Sequence, residues 1–207
     1  GAVLVDHTTA SADMARRLAE ACQAKQCGFV DAPVSGGQQG AENGQLTIMC
    51  GGSDSHFQAA AEVMDAYAKA MTLLGPAGSG QLTKMVNQIC VAGVLQGLAE
   101  GMAFAEQAGL DLQQVINAIS QGAAGSWQMN NRYQTMIADE YEHGFAIDWM
   151  RKDLDICLEE SRRNGADLTV TALINDYYKE VQAVGGGRWD TSALFKRLQA
   201  RGKERNQ

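Results

Sequence analysis

The feature of this sequence that most constrains its fold is a change of pattern at Pro76. Before this proline, short apolar runs alternate with amphipathic segments, as strands alternate with helices. No proline follows Pro76, and residues 78–108 form one periodic segment. Such a segment predicts a helix of roughly 45 Å at 1.5 Å per residue. The sequence therefore predicts an α/β domain over residues 1–77, followed by an all-α domain over residues 78–207.

The first domain is predicted to have four strands and two helices. The strands lie at residues 2–5, 28–34, 45–50 and 70–75, and the helices at 8–25 and 53–67. Thr9 or Ser11 is the expected N-cap of the first helix. Alternation of this kind predicts a mainly parallel sheet, and Asn43-Gly44 adds one antiparallel hairpin. Because four strands make a small sheet, we expect another chain or a preceding segment to complete it.

The second domain is predicted to contain only helices. After the long helix they lie at about residues 112–120, 126–138, 147–164, 169–184 and 191–200. The basic end of the chain, residues 196–207, is interpreted as a solvated tail. Gly93, Gly97 and Gly101 recur every four residues, a spacing that favours close helix packing within the chain or across a dimer. The apolar run at 89–105 is interrupted by polar residues and is expected to be too short to cross a bilayer.

Composition excludes several classes of function. The net charge of −7 argues against a nucleic-acid-binding protein, which would need a positive surface. Five cysteines without a C-x-x-C pair predict a reducing, cytoplasmic location and no disulfide framework. The three histidines are far apart in sequence, so no metal site is expected.

A glycine turn at Ser35-Gly36-Gly37 follows the second predicted strand. Its spacing does not match the G-x-G-x-x-G dinucleotide fingerprint, because Ser35 stands where the first glycine would be. Backbone N–H groups in such a turn can bind an anion such as a carboxylate, and the serine hydroxyl adds a donor. The alternative is a tight connection that requires positive φ. A strand, and not a helix, is predicted to follow the turn.

Lys84 begins a second candidate site near the start of the long helix. Asn87 and Gln88 follow it by three and four residues, so the three side chains share one helix face. A lysine beside an amide can hold a hydroxyl group and transfer its proton. The alternative is an ordinary solvated lysine. Lys152-Asp153 is a third candidate, and by itself it indicates only an amphipathic helix.

The combination and order of these motifs resemble the β-hydroxyacid dehydrogenases, which include 3-hydroxyisobutyrate dehydrogenase and tartronate semialdehyde reductase. The motifs are D-H-T-T-A-S (6–11), D-A-P-V-S-G-G-Q-Q-G-A (31–41), G-x-G-x-x-x-K-x-x-N (78–87) and K-D-L (152–154). The resemblance spans residues 1 to about 198. It implies a partial Rossmann-type sheet, a long connecting helix, an all-helical C-terminal domain and hydride transfer between NAD or NADP and a small hydroxy acid.

The resemblance also assigns roles to single residues. It implies that Lys84 is the acid/base, that Thr9 lies by the nicotinamide ribose, and that Lys152 reaches the cofactor from the all-α domain. Substrate binding is assigned to the carboxylate-binding turn and to the two amides of the lysine helix, namely Ser35, Gly36, Gly37, Asn87 and Gln88. Many relatives carry asparagine at the position of Gln88.

One departure from the family concerns the cofactor. The G-x-G-x-x-G unit is absent from the 207 residues. The resemblance implies that the unit precedes residue 1, so we expect this chain alone to bind NAD or NADP weakly and to be inactive. Relatives are generally homodimers or homotetramers. The alternative function is a non-catalytic module for oligomerisation or for binding an acidic ligand. 3-Hydroxyisobutyrate, tartronate semialdehyde and succinic semialdehyde remain open as substrates.

Overall fold

The computed structural model of the protein describes residues 1–205, with side chains described as far as residue 202. It contains two compact units, Gly1–Gln88 and Ile89–Gln207. The first is an α/β unit and the second is helical, so the predicted fold class is confirmed. The long helix begins in the first unit and ends in the second. The domain boundary between residues 77 and 78 stays a prediction. It lies directly before this helix, which begins at Ser79.

The first unit contains five strands and three complete helices. In chain order they are β1 (Val3–Asp6), α1 (Ala12–Ala24), β2 (Gly28–Asp31), β3 (Val34–Ser35), α2 (Gly37–Glu42), β4 (Leu46–Gly52), α3 (Asp54–Met64) and β5 (Ala68–Leu73). Apolar side chains of the sheet and of α3 form its core, among them Val30, Ile48, Cys50 and Met64. This core fixes the strand ends from which the candidate site is built.

The sheet is mixed, with two parallel and two antiparallel strand pairings. β1 pairs with β2 in parallel, and β4 pairs with β5 in parallel. β2 and β3 pair with the same strand, β4, and both pairings are antiparallel. The predicted single strand at 28–34 is thus two segments that follow one edge of β4. The strand direction reverses between β3 and β4 because a short connection leads the chain back along its neighbour.

That connection is a helix, which the sequence did not predict. α2 follows the glycine turn directly, with Gly36 as its N-cap, so the prediction that a strand follows the turn was wrong. Asn43 is its C-cap and Gly44 has a φ of 63°, a conformation that glycine adopts without strain. The Asn-Gly pair therefore ends a helix and does not form a two-residue hairpin, although the strands it joins are antiparallel as expected.

The second unit is built from helices. They are the greater part of α4 (Ser79–Gln107), then α5 (Leu112–Ile119), α6 (Trp127–Ile137), α7 (Ile147–Asn164), α8 (Thr169–Ala183) and α9 (Leu194–Arg205), with short 3₁₀ turns at Gly186–Arg188 and Thr191–Ala193. The described residues after β5 include no named strand, only an isolated bridge between Ala146 and Asp190. Leu95, Met102, Leu154 and Phe195 are among the residues of the helical core.

Serine and aspartate caps begin several helices at the positions that the sequence indicates. The Ser11 hydroxyl accepts the backbone N–H of Met14, which makes Ser11 and not Thr9 the N-cap of α1. Asp111 caps α5 in the same way, through the N–H of Gln114. Thr9 is therefore left outside α1, in the loop that follows β1.

The glycine stripe of α4 has no packing partner within the described chain. A Cβ placed on Gly93, Gly97 or Gly101 would have no heavy atom within 4 Å. Close packing of this stripe within the chain was therefore a wrong expectation. The helix, at 29 residues, is also long and apolar enough to cross a membrane by length and composition, contrary to the prediction. Ala92, Leu95, Ala99 and Met102 on its other side are buried among protein side chains, as in a core helix.

The basic C-terminal segment is structured as far as residue 205. α9 extends beyond the predicted helix at 191–200, and the Arg197 side chain is only 5% exposed. Its guanidinium lies over the Tyr177 ring and forms an ion pair with Glu180, at 2.7 Å between Nε and Oε2. Interpretation of the segment as a solvated tail was wrong for residues 196–199, which are buried or half-buried, and residues 206–207 lie outside the described chain.

Candidate active site

The start of α4 is anchored by a buried carboxylate, Asp31, at the end of β2. Its side chain has no exposed surface. Oδ1 accepts the N–H of Gly78 at 2.8 Å, and Oδ2 accepts the N–H of Gln81 at 2.9 Å. Burial raises the pKa of Asp31 above its ordinary value, while the N–H groups it accepts act in the opposite direction. Asp31 thereby satisfies backbone groups that would otherwise have no partner in the first turn of the helix.

Two glycines allow this close approach. A Cβ on Gly80 would come within 2.7 Å of the Asp31 carbonyl oxygen and 2.8 Å of its Oδ2. A Cβ on Gly51, in β4, would lie 2.6 Å from Asp31 Oδ1. No real Cβ fits at these distances, so only glycine lets α4 rest on the ends of β2 and β4.

Gln81 joins α4 to the loop after β1. Its Nε2 donates to the carbonyl oxygen of Thr8 at 2.7 Å, and its Oε1 accepts the N–H of Ala10 at 3.0 Å. The side chain is 1% exposed. One amide thus holds the backbone on both sides of Thr9, the residue that the family resemblance places by the cofactor. Thr9 itself is half-buried.

Lys84 lies one turn further along α4 and is buried, at 7% exposure. The alternative of a solvated surface lysine is therefore wrong. Burial of a lysine costs free energy unless polar partners compensate for it, so such a residue indicates a functional site. Lys84 is held in position relative to Asp31 and Gln81. Asp31 binds the backbone at the start of α4, and Gln81 and Lys84 both belong to the first two turns of that helix.

Asn87 and Gln88 contact each other. Asn87 Nδ2 donates to Gln88 Oε1 at 2.7 Å, and Gln88 is 3% exposed whereas Asn87 is half-buried. The bond leaves the Asn87 Oδ1 as the acceptor on the less buried amide. Gln88 is thus placed to orient Asn87.

The glycine turn is open at the surface of the first unit. Ser35 ends β3 and is half-buried, while Gly36 and Gly37 are exposed, with φ values of 133° and 62°. A Cβ on Gly36 would also lie 3.1 Å from Leu46 Cδ2. These observations fit both interpretations of the turn. The positive φ values favour glycine, as in a tight connection, and the exposed backbone is accessible to an anion.

Lys152 belongs to the second unit, on α7. Its Nζ forms an ion pair with Asp153 Oδ1 at 3.1 Å, and the lysine side chain is 42% exposed while the aspartate is 2% exposed. The ammonium group of a partly exposed lysine is thus paired with a buried carboxylate of the same helix.

The cofactor implied by the resemblance can be compared with the residues present. The loop that carries Thr9 follows the carboxyl end of β1, and ligands of α/β sheets bind outside such strand ends. Its backbone is fixed by Gln81. These residues fit the nicotinamide end of a dinucleotide, whereas the 207 residues supply no glycine-rich pyrophosphate loop. Two cavities of about 390 and 330 Å³ lie around His56 and include none of the predicted site residues.

Sequence reasoning missed two residues of this site, Asp31 and Gln81. Asp31 belongs to the D-A-P-V-S-G-G motif but has no role in the family resemblance, although a carboxylate at the end of an apolar strand is itself a signal of buried polar contacts. Gln81 occupied an unassigned position of the lysine motif. Its partners are 71 and 73 residues away in sequence, so no local pattern reveals them.

Comparison with known proteins decides the family. Residues 1–75 match the family model described as the NAD binding domain of 6-phosphogluconate dehydrogenase. Residues 78–198 match the model described as NAD-binding of NADP-dependent 3-hydroxyisobutyrate dehydrogenase. The chain belongs to the β-hydroxyacid dehydrogenase family. It is accordingly an oxidoreductase of the NAD(P)-dependent class, and the resemblance inferred from its motifs is confirmed.

Individual relatives agree in sequence and in fold. An uncharacterised oxidoreductase from Shewanella frigidimarina is 62% identical over 96% of this chain, which spans 68% of that protein. A 3-hydroxyisobutyrate dehydrogenase from Salmonella typhimurium has 30% identity and a TM-score of 0.85, covering 94% of this chain and 68% of that one. The Mycobacterium tuberculosis 3-hydroxyisobutyrate dehydrogenase with L-serine has 28% identity and a TM-score of 0.85, covering 95% and 69%.

Proposed function

We propose that the protein is a dehydrogenase of the 3-hydroxyisobutyrate type in which Lys84 is the acid/base. The observation that carries this proposal is the burial of Lys84 on a helix whose first turn is fixed by Asp31 and Gln81. A catalytic group must be held in place to transfer a proton efficiently, and this anchoring supplies a fixed position.

The roles of the residues follow from their chemistry. In the oxidation direction, the Lys84 amine accepts the proton of the substrate hydroxyl as the substrate carbon is oxidised. In the reduction direction, the ammonium group returns that proton to the developing alkoxide. NAD or NADP, when bound, accepts or supplies the hydride. Asn87 hydrogen-bonds the substrate, and Gln88 orients Asn87 through their shared hydrogen bond.

The substrate is a small hydroxy acid or its semialdehyde. We assign its carboxylate to the Ser35 hydroxyl and to the exposed backbone of Gly36 and Gly37, an arrangement suited to a compact anion. Thr9 is assigned to the nicotinamide ribose and Lys152 to the cofactor. Among candidate substrates, 3-hydroxyisobutyrate, tartronate semialdehyde and succinic semialdehyde share the required carboxylate.

The chain of 207 residues by itself should bind NADH and NADPH weakly and should turn over negligibly. The physical reason is that none of its glycine clusters forms the strand–G-x-G-x-x-G–helix unit that cradles a pyrophosphate. Fluorescence titration with each cofactor measures binding, and loss of absorbance at the nicotinamide band measures oxidation of NADH or NADPH with tartronate semialdehyde as the hydride acceptor. The protein expressed from its complete gene is the control. Robust oxidation of NADH or NADPH by the 207-residue chain would contradict the prediction.

Self-association is a further expectation. The open side of α4, with Gly93, Gly97 and Gly101, offers a surface on which a second copy can pack closely. Light scattering at micromolar concentration should therefore give the mass of a dimer or tetramer. A monomer mass at that concentration argues against it.

The alternative proposal, a non-catalytic module for oligomerisation or for binding an acidic ligand, keeps the same fold. It gives no reason for a buried lysine beside Asn87, which is why the dehydrogenase is preferred. The complete gene distinguishes the two, because an in-frame G-x-G-x-x-G unit upstream favours the enzyme. A cytoplasmic location stays a prediction, tested by fractionation of cells that express the complete gene.

A further inference from the structure

Gln81 contacts two separate parts of the first unit, the end of β2 and the loop after β1. Its backbone N–H donates to the Asp31 carboxylate, and its side-chain amide bonds the residues on either side of Thr9. A single residue therefore links β2, α4 and the loop after β1. The part of α4 that it belongs to also carries Lys84, one turn away.

The pairing between Gln81 and the loop needs a primary amide. Thr8 offers a carbonyl acceptor and Ala10 an N–H donor, so the partner must donate and accept at the same time. Glutamine does both at the length required. A glutamate carboxylate at this place would accept from Ala10 but would face the Thr8 carbonyl without a proton to donate.

We propose that Gln81 is the positioning residue that sets the distance between Lys84 and Thr9, and so between the acid/base and the nicotinamide end of the cofactor. This inference rests on the proposed function. Gln81 is only 1% exposed, so we assign it no direct contact with substrate or cofactor. Lys84 is linked to Gln81 through helix α4, to which both residues belong. Thr9 is linked to Gln81 through the loop backbone that the side-chain amide binds.

The test compares Gln81→Glu with Gln81→Met in the protein expressed from its complete gene. Misplacement of reacting groups by about 1 Å costs on the order of 100-fold in rate, so kcat at pH 8 should fall by about 10- to 100-fold in both variants. At lower pH, a protonated glutamic acid can donate to Thr8 and accept from Ala10. The wild-type to Gln81→Glu ratio of kcat should therefore shrink as pH falls from 8 to 5.5, whereas the Gln81→Met ratio should stay constant.

Other titrating groups do not produce this pattern. The charged groups around Gln81 are Asp31 on β2, Lys84 on α4, Asp6 at the end of β1, and Arg16 on α1 near Gly78. All are present in wild type and in both variants, and Gln81→Met, which adds no charge, measures their contribution to the pH dependence of kcat. Gln107→Glu, at the exposed end of α4, adds the same charge and should show a wild-type kcat at every pH.

A second measurement does not depend on catalysis. In the cofactor-free protein, the Ala10 N–H is protected by Gln81 Oε1. Hydrogen exchange of a peptide spanning residues 8–12 should be faster in Gln81→Met than in wild type, while peptides from α7 and α8 exchange at unchanged rates. Unchanged exchange at residues 8–12 overturns the inference.

The outcomes separate this inference from the proposed function. If Lys84→Ala loses activity while Gln81→Glu keeps the wild-type kcat at pH 8, the positioning role fails and the dehydrogenase stands. If Lys84→Ala is fully active, the assignment of the acid/base fails. Recovery of the Gln81→Glu variant at low pH, together with faster exchange in Gln81→Met, supports the positioning role.

Discussion

Replacement of Lys84 by alanine should lower kcat by about 100- to 10,000-fold, the range that general acid/base catalysis contributes. The side chain is buried in the first unit, at 7% exposure. Without Lys84, the hydroxyl proton has no acceptor of suitable geometry as the carbon is oxidised. KM should change much less than kcat, because the carboxylate is assigned to the turn at Ser35 and not to the lysine.

Two controls make the Lys84 result specific. Lys69→Ala removes an exposed lysine of β5 from the same unit and should keep the wild-type kcat. Lys84→Met preserves most of the side-chain volume without an amine, so it should lose as much activity as Lys84→Ala while retaining more of the free energy of unfolding. The assay uses the protein expressed from its complete gene, followed by absorbance of NADH or NADPH. A near-wild-type kcat in Lys84→Met would remove the lysine from its role.

Local chemistry explains what the sequence predicted well. Caps such as Ser11 and Asp111 depend on a side chain and an N–H group three residues away, so the helix starts they define can be located without knowledge of the fold. The long helix α4 was predicted because 29 residues without proline keep one periodicity. The family itself was evident from the order of four motifs, which local structure alone would not reveal.

Contacts between distant segments explain what was missed. α2 has six residues, two of them glycine, and no apolar period, so its helical conformation depends on the antiparallel strands that it joins. The burial of Lys84 could not be predicted, since a lysine near a helix start is exposed by default and only the packing of α4 decides otherwise. The division of the predicted strand 28–34 into β2 and β3 was likewise missed, because each segment is defined by its pairing with β4, which for β2 joins residues about 20 positions apart.

Replacement of Gly80 by alanine should be the most destabilising single change at this site. The added Cβ would meet the Asp31 carbonyl oxygen at 2.7 Å and its Oδ2 at 2.8 Å, and it would also meet the carbonyl oxygen of Met49. Two of these atoms belong to the backbone, which cannot rotate away. Overpacking of this kind costs about 1–3 kcal/mol of the free energy of unfolding, and relief requires the start of α4 to move off the sheet.

The matched control is Gly97→Ala on the same helix. A Cβ at Gly97 meets nothing of the described chain within 4 Å, so in the monomer this variant should gain about 0.5–1 kcal/mol from the higher helix propensity of alanine. Chemical denaturation measures both variants against wild type, at a dilution where light scattering gives all three the monomer mass. Opposite signs for one substitution at two places on one helix would show that contact with the sheet, and not helix propensity, governs position 80.

Because displacement of the first turn also moves Lys84, Gly80→Ala should lose kcat even in the fraction that remains folded, and Gly97→Ala should keep it. Equal stability of the two variants would mean that the start of α4 is free to shift, and the anchoring by Asp31 would then not determine the position of the lysine.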